Sequence, residues 1–133
     1  MEITPRPPTG TGPAEFSTGD VLVDPITGGL PPSLRHVTAV RAGPGARNAW
    51  HFPERGQTHC VIEARGLVQV LDQNTVELRP GDVVFAPQGK RHCHGATPGV
   101  LTAHLSFAAD KARWGENLTD EEYTSERSRK EAR

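Results

Sequence analysis

The chain is divided into short segments rich in β-branched and apolar residues, and each segment is bounded by turn-forming residues. Turn signals between the segments include Gly43-Pro-Gly45, Pro80-Gly81 and Pro98-Gly99. Strands of about five residues at this spacing are typical of an antiparallel sandwich or barrel. We therefore predict an all-β fold with six to ten antiparallel strands. The segments are Val21–Val23, His36–Val40, His59–Ile62, Gly66–Leu71, Thr75–Leu78, Asp82–Ala86 and Leu101–Phe107.

The two ends of the chain differ in composition from its middle. Residues 1–14 are rich in proline and poor in apolar side chains, which indicates an extended N-terminal arm. The segment Asp110–Arg133 is predicted to be helical, with Thr119-Asp-Glu-Glu122 as a capping box. Residues 124–133 are highly charged, and we expect them to fray. A single domain is therefore expected over residues 15–123.

Length and charge limit the kinds of partner. A chain of 133 residues with 15 basic and 16 acidic side chains has a formal net charge of -1, so it lacks the basic surface expected for binding nucleic acid or an anionic membrane. No apolar run approaches the roughly 18 residues of a membrane helix. The two cysteines and the lack of a leader peptide predict a reduced, cytoplasmic setting. The expected partners are a small molecule and a second copy of the chain.

Histidines are concentrated where strands are predicted. Residues two apart in a strand share a face, so Gln57 and His59 point the same way, and so do His92 and His94. Imidazoles together with a neutral amide oxygen suit manganese, iron, nickel or zinc better than calcium. The sequence thus indicates a site for a divalent transition metal.

The same alternation separates other side chains from this site. Cys60 and Cys93 are out of phase with the neighbouring histidines, so we expect both to face away and to serve packing. In the segment Leu101–Phe107, residues Thr102, His104 and Ser106 share one face. Alternation alone does not decide whether that face is the inner one.

Two stretches resemble the conserved motifs of the cupin family. They are Gly45-Ala-Arg-Asn-Ala-Trp-His51, with Gly66 after it, and Gly81-Asp-Val-Val-Phe-Ala-Pro87-Gln-Gly89-Lys-Arg-His92. Further stretches, Thr102-Ala-His-Leu105 and Trp114-Gly-Glu-Asn-Leu-Thr-Asp-Glu-Glu-Tyr123, are similar to small single-domain cupins related to bacterial hydroxynitrile lyases. The resemblance implies a jelly-roll-like antiparallel β-barrel with a short C-terminal helix over residues 15–123. It also implies a homodimer that pairs through sheet faces and exchanges N-terminal segments.

Cupins of this kind hold their metal with a His-x-His pair, a following Gln or Glu, and a histidine of the second motif. Carried over to this chain, the resemblance implies His51, Gln57 and His92 as ligands. The second histidine of the pair falls at Pro53, which has no donor atom. Either His59, which we prefer because a strand holds its side chains rigidly, or Glu54 in the adjacent turn would replace it. Loss of the metal is the third alternative.

The resemblance also places His104 in the substrate cavity, with His94 as a second catalytic candidate. Imidazole titrates near neutral pH and can move protons there. We expect a cavity walled by Val40, Leu67, Val84 and Leu105. The predicted function is an enzyme of lyase, isomerase or cyclase type that acts on a small organic substrate by metal- or histidine-assisted acid-base chemistry. The alternatives are a non-catalytic ligand-binding cupin and a metal-dependent dioxygenase.

Overall fold

The structure is a computed structural model that describes residues 1, 3, 5–28, 35–109, 112–124 and 127–128. Within these residues the chain forms eight strands of four or more residues, six shorter strands and one short helix. In chain order they are β1 Gly10–Thr11, β2 Ser17–Thr18, β3 Val21–Gly28, β4 His36–Ala42, β5 Arg47–Asn48, β6 His51–Pro53, β7 Gln57–Ala64, β8 Gly66–Val70, β9 Thr75–Leu78, β10 Val83–Ala86, β11 His92–Ala96, β12 Thr102–Ala108, β13 Ala112–Trp114, α1 Asp120–Tyr123 and β14 Arg127–Ser128. The all-β prediction is confirmed, and the eight longer strands fall within the expected number.

The strands form two curled sheets. The first has six strands in the order β1-β3-β4-β12-β7-β10, and the second has the order β13-β6-β11-β8-β9-β14 with β5 beside β11 and β2 beside β5. The strand pairs are antiparallel except for β14, which runs parallel to β9. No helix among the described residues has the length and apolar character needed to cross a membrane.

Strand β12 lies at the centre of the first sheet and decides which face is inner. It pairs with β4 on one side and with β7 on the other, so that His104 lies opposite both Val40 and Val61. Thr102, His104 and Ser106 are buried, whereas the residues between them are more exposed. The polar face of β12 is therefore the face that points into the barrel.

Apolar side chains fill the barrel at two places beside the histidines. Val61, Val68 and Leu78 form one buried cluster, against which Val76 and Val84 pack. A second cluster contains Val21, Ala42, Ala46 and Ala96, with Val23 and Val40 against it. Burying each valine or leucine contributes about 1.5–3 kcal/mol, so these clusters stabilise the barrel against the cost of burying polar rings between them.

The predicted cavity wall is correct for two of its four residues. Val40 and Val84 pack against the inner clusters. Leu67 instead packs with Trp50 and Cys93 on the outer side of the second sheet, and Leu105 lies on the face of β12 opposite to His104. The assignments of Leu67 and Leu105 to the cavity wall were wrong, because an apolar residue in a strand can equally well pack on the outer face of the sheet.

The short C-terminal helix is confirmed, but it occupies only a small part of the segment Asp110–Arg133 that was predicted to be helical. Ala112–Trp114 is strand β13, which pairs with β6 at His51–Pro53, and the helix is confined to Asp120–Tyr123. The predicted capping box at Thr119 is present. Pairing with β6 satisfies the backbone groups of β13 within a sheet, and this overrides the local helix preference. Residues 110–111, 125–126 and 129–133 of the predicted helix and tail lie outside the described residues.

The short helix covers the outer side of the second sheet. Tyr123 is fully buried with Leu118, and its hydroxyl donates a 2.8 Å hydrogen bond to the Ala96 carbonyl oxygen. The guanidinium of Arg47 lies 5.0 Å from the centre of the Tyr123 ring and donates to the Leu118 carbonyl oxygen at 2.6 Å. These contacts attach the C-terminal segment to β5 and β11, the strands that carry part of the candidate site.

The N-terminal arm contributes a strand to its own chain. Gly10 and Thr11 pair with Val23 and Leu22 of β3. The buried carboxylate of Asp24 accepts hydrogen bonds from Thr9, from Arg6 at 2.7 Å and from Arg41 at 3.1 Å. These hydrogen bonds lower the pKa of Asp24 below its usual value, with the Thr9 hydroxyl as the largest cause. Residues 2 and 4 of the predicted arm lie outside the described residues.

Candidate functional site

Five of the six histidines converge between the two sheets. The ring centres of His51 and His92 are 4.3 Å apart, those of His59 and His94 are 4.0 Å apart, and His104 lies 4.7 Å from His94. All five are buried. The register brings them together, because His51 pairs with His92 across β6 and β11 while Ser106 pairs with His59 across β12 and β7.

The imidazoles form two overlapping groups of metal-ligating atoms. In the first, one nitrogen of each of His51, His92 and His94 lies within 4.8 Å of the others. In the second, the same holds for His59, His94 and His104. His36, the sixth histidine, belongs to neither group found among the described residues.

Nε2 of His51 and Oε1 of Gln57, both hydrogen-bond acceptors, face each other. The Nδ1 of His51 donates to the Ala49 carbonyl oxygen at 2.9 Å, which leaves the lone pair on Nε2. The Gln57 amide nitrogen donates to Ser106 Oγ at 2.6 Å, so its Oε1 faces His51 Nε2 at 3.3 Å. Two acceptors at this distance are stabilised by a cation or a proton between them.

His92 is oriented in the same way as His51. Its Nδ1 lies 3.3 Å from the Lys90 carbonyl oxygen and donates to it, which directs the Nε2 lone pair into the barrel. This Nε2 lies 3.4 Å from Nε2 of His59. His59 lacks such an anchor, because its buried Nδ1 has no hydrogen-bond partner among the described residues.

The spacing of these donor atoms fits a first-row transition metal. Bonds of about 2.0–2.2 Å place adjacent ligand atoms about 2.8–3.6 Å apart in octahedral or tetrahedral geometry. The His51–Gln57 and His59–His92 separations of 3.3 and 3.4 Å agree with this. The four residues predicted from the sequence as ligands form two such pairs, but His51 and His59 do not occur together in either group of metal-ligating atoms.

The position of the missing family ligand is occupied by a buried proline. Pro53 lies two residues beyond His51 in β6 and is less than 2% exposed. Glu54, the alternative replacement, is half exposed and accepts a 2.8 Å hydrogen bond from Arg113. It lines a surface recess of about 420 Å³ together with Phe52 and Arg55. Glu54 is therefore held away from the imidazoles.

Burial keeps the five imidazoles neutral. Desolvation is the largest cause for each ring, and it lowers the pKa of His92 to about 3 and that of His104 to about 4. The pKa values of His59 and His94 lie well below the usual value, because neighbouring imidazoles add to the effect of burial. Burial also lowers the pKa of His51, and hydrogen bonds to Ala49 and Gln57 oppose this effect because they favour the charged ring. His104 therefore does not titrate near neutral pH, which corrects our expectation.

Sequence reasoning missed Asn48, the last residue of β5. Its Oδ1 accepts the backbone N–H of His94 at 2.9 Å, and its Nδ2 lies 2.9 Å from Nε2 of the same histidine. Asn48 stands three residues before His51 in the first motif, but the alternation argument did not reach it because β5 is only two residues long. The role of Ser106 in orienting Gln57 was missed for a similar reason, since the two belong to different strands.

The cysteines lie outside the imidazole cluster, as predicted. Cys93 is completely buried with Trp50, Leu67, Leu118 and Tyr123 on the other side of β11. Burial raises the pKa of its thiol to about 12, so it is not a nucleophile at neutral pH. Both cysteines are free.

Comparison with known proteins gives consistent results for sequence and structure. Residues 39–105 match the cupin domain family. The chain is 38% identical over 119 residues to an (R)-mandelonitrile lyase of Granulicella tundricola, and the match covers 86% of this chain and 91% of that relative. A solved cupin-like protein of Thermotoga maritima superimposes with a TM-score of 0.83 at 30% identity, covering 92% of this chain and 95% of the other. The polyketide cyclase RemF of Streptomyces resistomycificus has the same fold, with a TM-score of 0.65 and 24% identity over 81% of this chain and 84% of its own.

Proposed function

Because the chain belongs to the cupin family, we propose that it is a metal-assisted lyase that cleaves a cyanohydrin-type carbon–carbon bond in its barrel. The observation that carries this proposal is the buried cluster of five neutral imidazoles with Gln57. Burying so many polar rings in an apolar barrel costs stability, and a binding module needs fewer of them. The relative named as an (R)-mandelonitrile lyase supports this reaction class.

The donors that we propose for a divalent transition metal are His51, Gln57 and His92, with His59 in place of the ligand that Pro53 cannot supply, and the His51–Gln57 and His59–His92 separations support this set. Manganese, iron, nickel and zinc all accept this set of imidazole and amide ligands. When bound, such a metal polarises a substrate oxygen and stabilises the negative charge that develops there. The hydrogen bonds from His51 to Ala49 and from His92 to Lys90 fix the ring orientations that ligation requires.

His104 is the proposed base. Burial lowers its pKa to about 4, so the ring is neutral at neutral pH and is a weaker base than a free imidazole. Its buried Nε2 has no hydrogen-bond partner among the described residues. His104 takes the proton from the substrate hydroxyl, and the bond between the hydroxyl-bearing carbon and the nitrile carbon breaks. The electron pair of that bond leaves with cyanide. The proton returns from His104 to cyanide, so that the products are an aldehyde or ketone and hydrogen cyanide.

The rest of the barrel supports this chemistry. Val61, Val68 and Val84 form an apolar wall beside His59 and His104, which suits the organic part of a small substrate and excludes water. Exclusion of water strengthens the electrostatic interactions of the site.

The experiment is a cleavage assay with the full chain loaded separately with manganese, iron, nickel or zinc. We expect at least one loaded form to release aldehyde and cyanide from an aromatic cyanohydrin, and removal of the metal by a chelator to abolish release. The His36→Gln variant is the control, since His36 lies outside both imidazole groups. Tight binding of the substrate without turnover would support the ligand-binding alternative, and oxygen consumption during turnover would support the dioxygenase.

We also propose that the protein forms a homodimer and works in a reducing, cytoplasmic setting. The outer face of the first sheet carries exposed apolar side chains, including Val83 and Phe85, that a second copy would cover. The two free cysteines suit a reducing compartment.

A further inference from the structure

We propose that Asn48 is a positioning residue that fixes the tautomer of His94 and so makes His94 a hydrogen-bond donor to the substrate instead of a metal ligand. The geometry of the two residues carries this inference. Its catalytic part rests on the proposed lyase function, whereas its structural part does not.

The Asn48 amide can adopt only one orientation. Its oxygen accepts the backbone N–H of His94 at 2.9 Å, and a backbone N–H is a donor that would repel an NH₂ group. The NH₂ group of Asn48 must therefore be the atom that faces Nε2 of His94, also at 2.9 Å. Both polar atoms of the amide are thus used on the same histidine.

This orientation determines where the ring proton of His94 lies. An amide NH₂ only donates, so Nε2 of His94 must accept and must carry the lone pair. The proton of the neutral ring is therefore on Nδ1. If that proton moved to Nε2, the Nε2–H of His94 and the NH₂ group of Asn48 would be two donors facing each other, and the buried hydrogen bond between them would be lost.

Neither nitrogen of His94 is then available to a metal. Nε2 already accepts the Asn48 amide, and Nδ1 carries a proton. His94 nevertheless belongs to both imidazole groups by distance. Proximity alone would count it as a ligand with His51 and His92, but its hydrogen bonding assigns it a different role.

The backbone is built to bring Asn48 to this position. Strand β5 approaches β11 at Gly95, which pairs with Arg47. A Cβ atom at residue 95 would collide with the carbonyl oxygen of Ala46 and would lie 2.6 Å from the Cα of Arg47. Only glycine permits this close approach, which places Asn48 directly beside His94.

A neutral imidazole with a fixed N–H can polarise an oxygen without releasing its proton. The His94 ring lies 4.7 Å from the ring of His104 and 5.3 Å from that of His51. We therefore divide the work between two histidines. His104 accepts the substrate proton, and His94 donates a hydrogen bond from Nδ1 to the oxygen on which charge develops.

The test is ¹⁵N NMR of the histidine rings in the full chain, without metal and with zinc. A protonated and an unprotonated ring nitrogen have well-separated ¹⁵N shifts, so the tautomer is read directly. We expect the His94 proton on Nδ1 in both samples. In Asn48→Asp, the carboxylate can only accept hydrogen bonds, both from the backbone N–H of His94 and from its ring. We therefore expect the ring proton to move to Nε2. In Asn48→Ala, we expect a mixture of tautomers.

Activity and metal affinity complete the test. We expect Asn48→Ala to lower kcat about 10–100-fold, as loss of a residue that orients a functional group typically does, and to leave zinc affinity unchanged. The control is Asn117→Ala, which removes an amide that bonds the carbonyl oxygens of Ala14 and Glu15 far from the barrel centre. This control should retain kcat. Thermal unfolding of both variants checks that the Asn48 substitution does not act by unfolding the protein.

Three outcomes would overturn the proposal. They are a proton on Nε2 of His94 in the unmodified protein, a zinc-induced ¹⁵N shift that marks His94 as a ligand, and an unchanged tautomer in Asn48→Asp. A protein that cleaves no cyanohydrin would contradict the proposed function only, because the tautomer and the zinc affinity are measured without substrate.

Discussion

Single side chains at this site are defined by which of their atoms can accept or donate. His51 and His92 each bond a backbone carbonyl oxygen through Nδ1, so each presents an Nε2 lone pair to the barrel. Gln57 presents its oxygen because its amide nitrogen donates to Ser106. Lone pairs converging without an intervening donor are the feature that supports a metal over a purely hydrogen-bonded cluster.

The metal hypothesis predicts that His92→Ala abolishes binding. The variant loses the imidazole that lies 4.3 Å from the His51 ring and whose Nε2 faces that of His59. We expect at least about a 100-fold loss of affinity for zinc or manganese, measured by calorimetric titration. Loss of a residue that only orients a metal ligand typically lowers metal affinity about 10–100-fold, and loss of the ligand itself should lower it more. His36→Gln should bind as the unmodified protein does. An unchanged affinity in His92→Ala would refute the assignment.

The role of His104 predicts a different pattern in its variants. Replacing His104 with glutamine keeps a polar side chain of similar size but removes the base. Turnover should fall by about 10²–10⁴-fold, the usual contribution of a positioned acid or base. Metal content and unfolding temperature should not change, since His104 is not among the proposed ligands. Turnover like that of the unmodified protein would exclude His104 as the base.

At the level of elements, hydrogen bonds to the carboxylate of Asp24 in β3 hold the N-terminal arm against the first sheet. Asp24 holds Arg6 and Thr9 of the arm and Arg41 of β4. The folded-state pKa of Asp24 lies below the usual value, so its contribution to stability is fully present above about pH 4 and is lost as the pH falls through the folded-state value. Acid should therefore release the arm before the barrel.

This predicts a local effect of Asp24→Asn. The variant should accelerate amide hydrogen exchange at Gly12, whose N–H donates to the Val21 carbonyl oxygen at 2.8 Å. Exchange at Tyr123, in the helix that packs on the other sheet, should be unchanged. In the unmodified protein, Gly12 exchange should become faster relative to Tyr123 as the pH is lowered below about 4, after correction for intrinsic rates. Equal acceleration at both amides would mean that Asp24 supports the whole fold.

At the level of the whole molecule, the first sheet has an apolar outer face. Exposed apolar side chains on it include Val83 at 62% and Phe85 at 63% exposure, the most accessible of them. Leu22, Ile62 and Phe107 are further examples. A monomer would leave this face in water, which is unfavourable and promotes aggregation. The homodimer that we propose would bury it.

We predict that Phe85→Asp converts the dimer to a monomer in light scattering at micromolar concentration. The charge would be buried without a partner in the interface, whereas it would be solvated in the monomer. Leu71→Asp is the control, because Leu71 is 41% exposed in the turn after β8, outside the first sheet. A monomeric unmodified protein, or a dimeric Phe85→Asp variant, would contradict the proposed interface.

The sequence by itself determined the strands and the shared faces of their side chains. Alternation within β7 and β11 was sufficient to group Gln57 with His59 and His92 with His94, and to place Cys93 on the opposite side. This succeeds because the period of two is a local property of an extended backbone. The family motifs added the barrel and the convergence of His51 with His92.

Only the tertiary structure decided which faces are inner and which strands are neighbours. The pairing of β12 with both β4 and β7 turned His104 inward and Leu105 away. The pairing of β13 with β6 made a strand of part of the segment predicted to be helical, and the close approach at Gly95 brought Asn48 to His94. These outcomes depend on backbone hydrogen bonds between residues distant in sequence, which local propensity and periodicity do not specify.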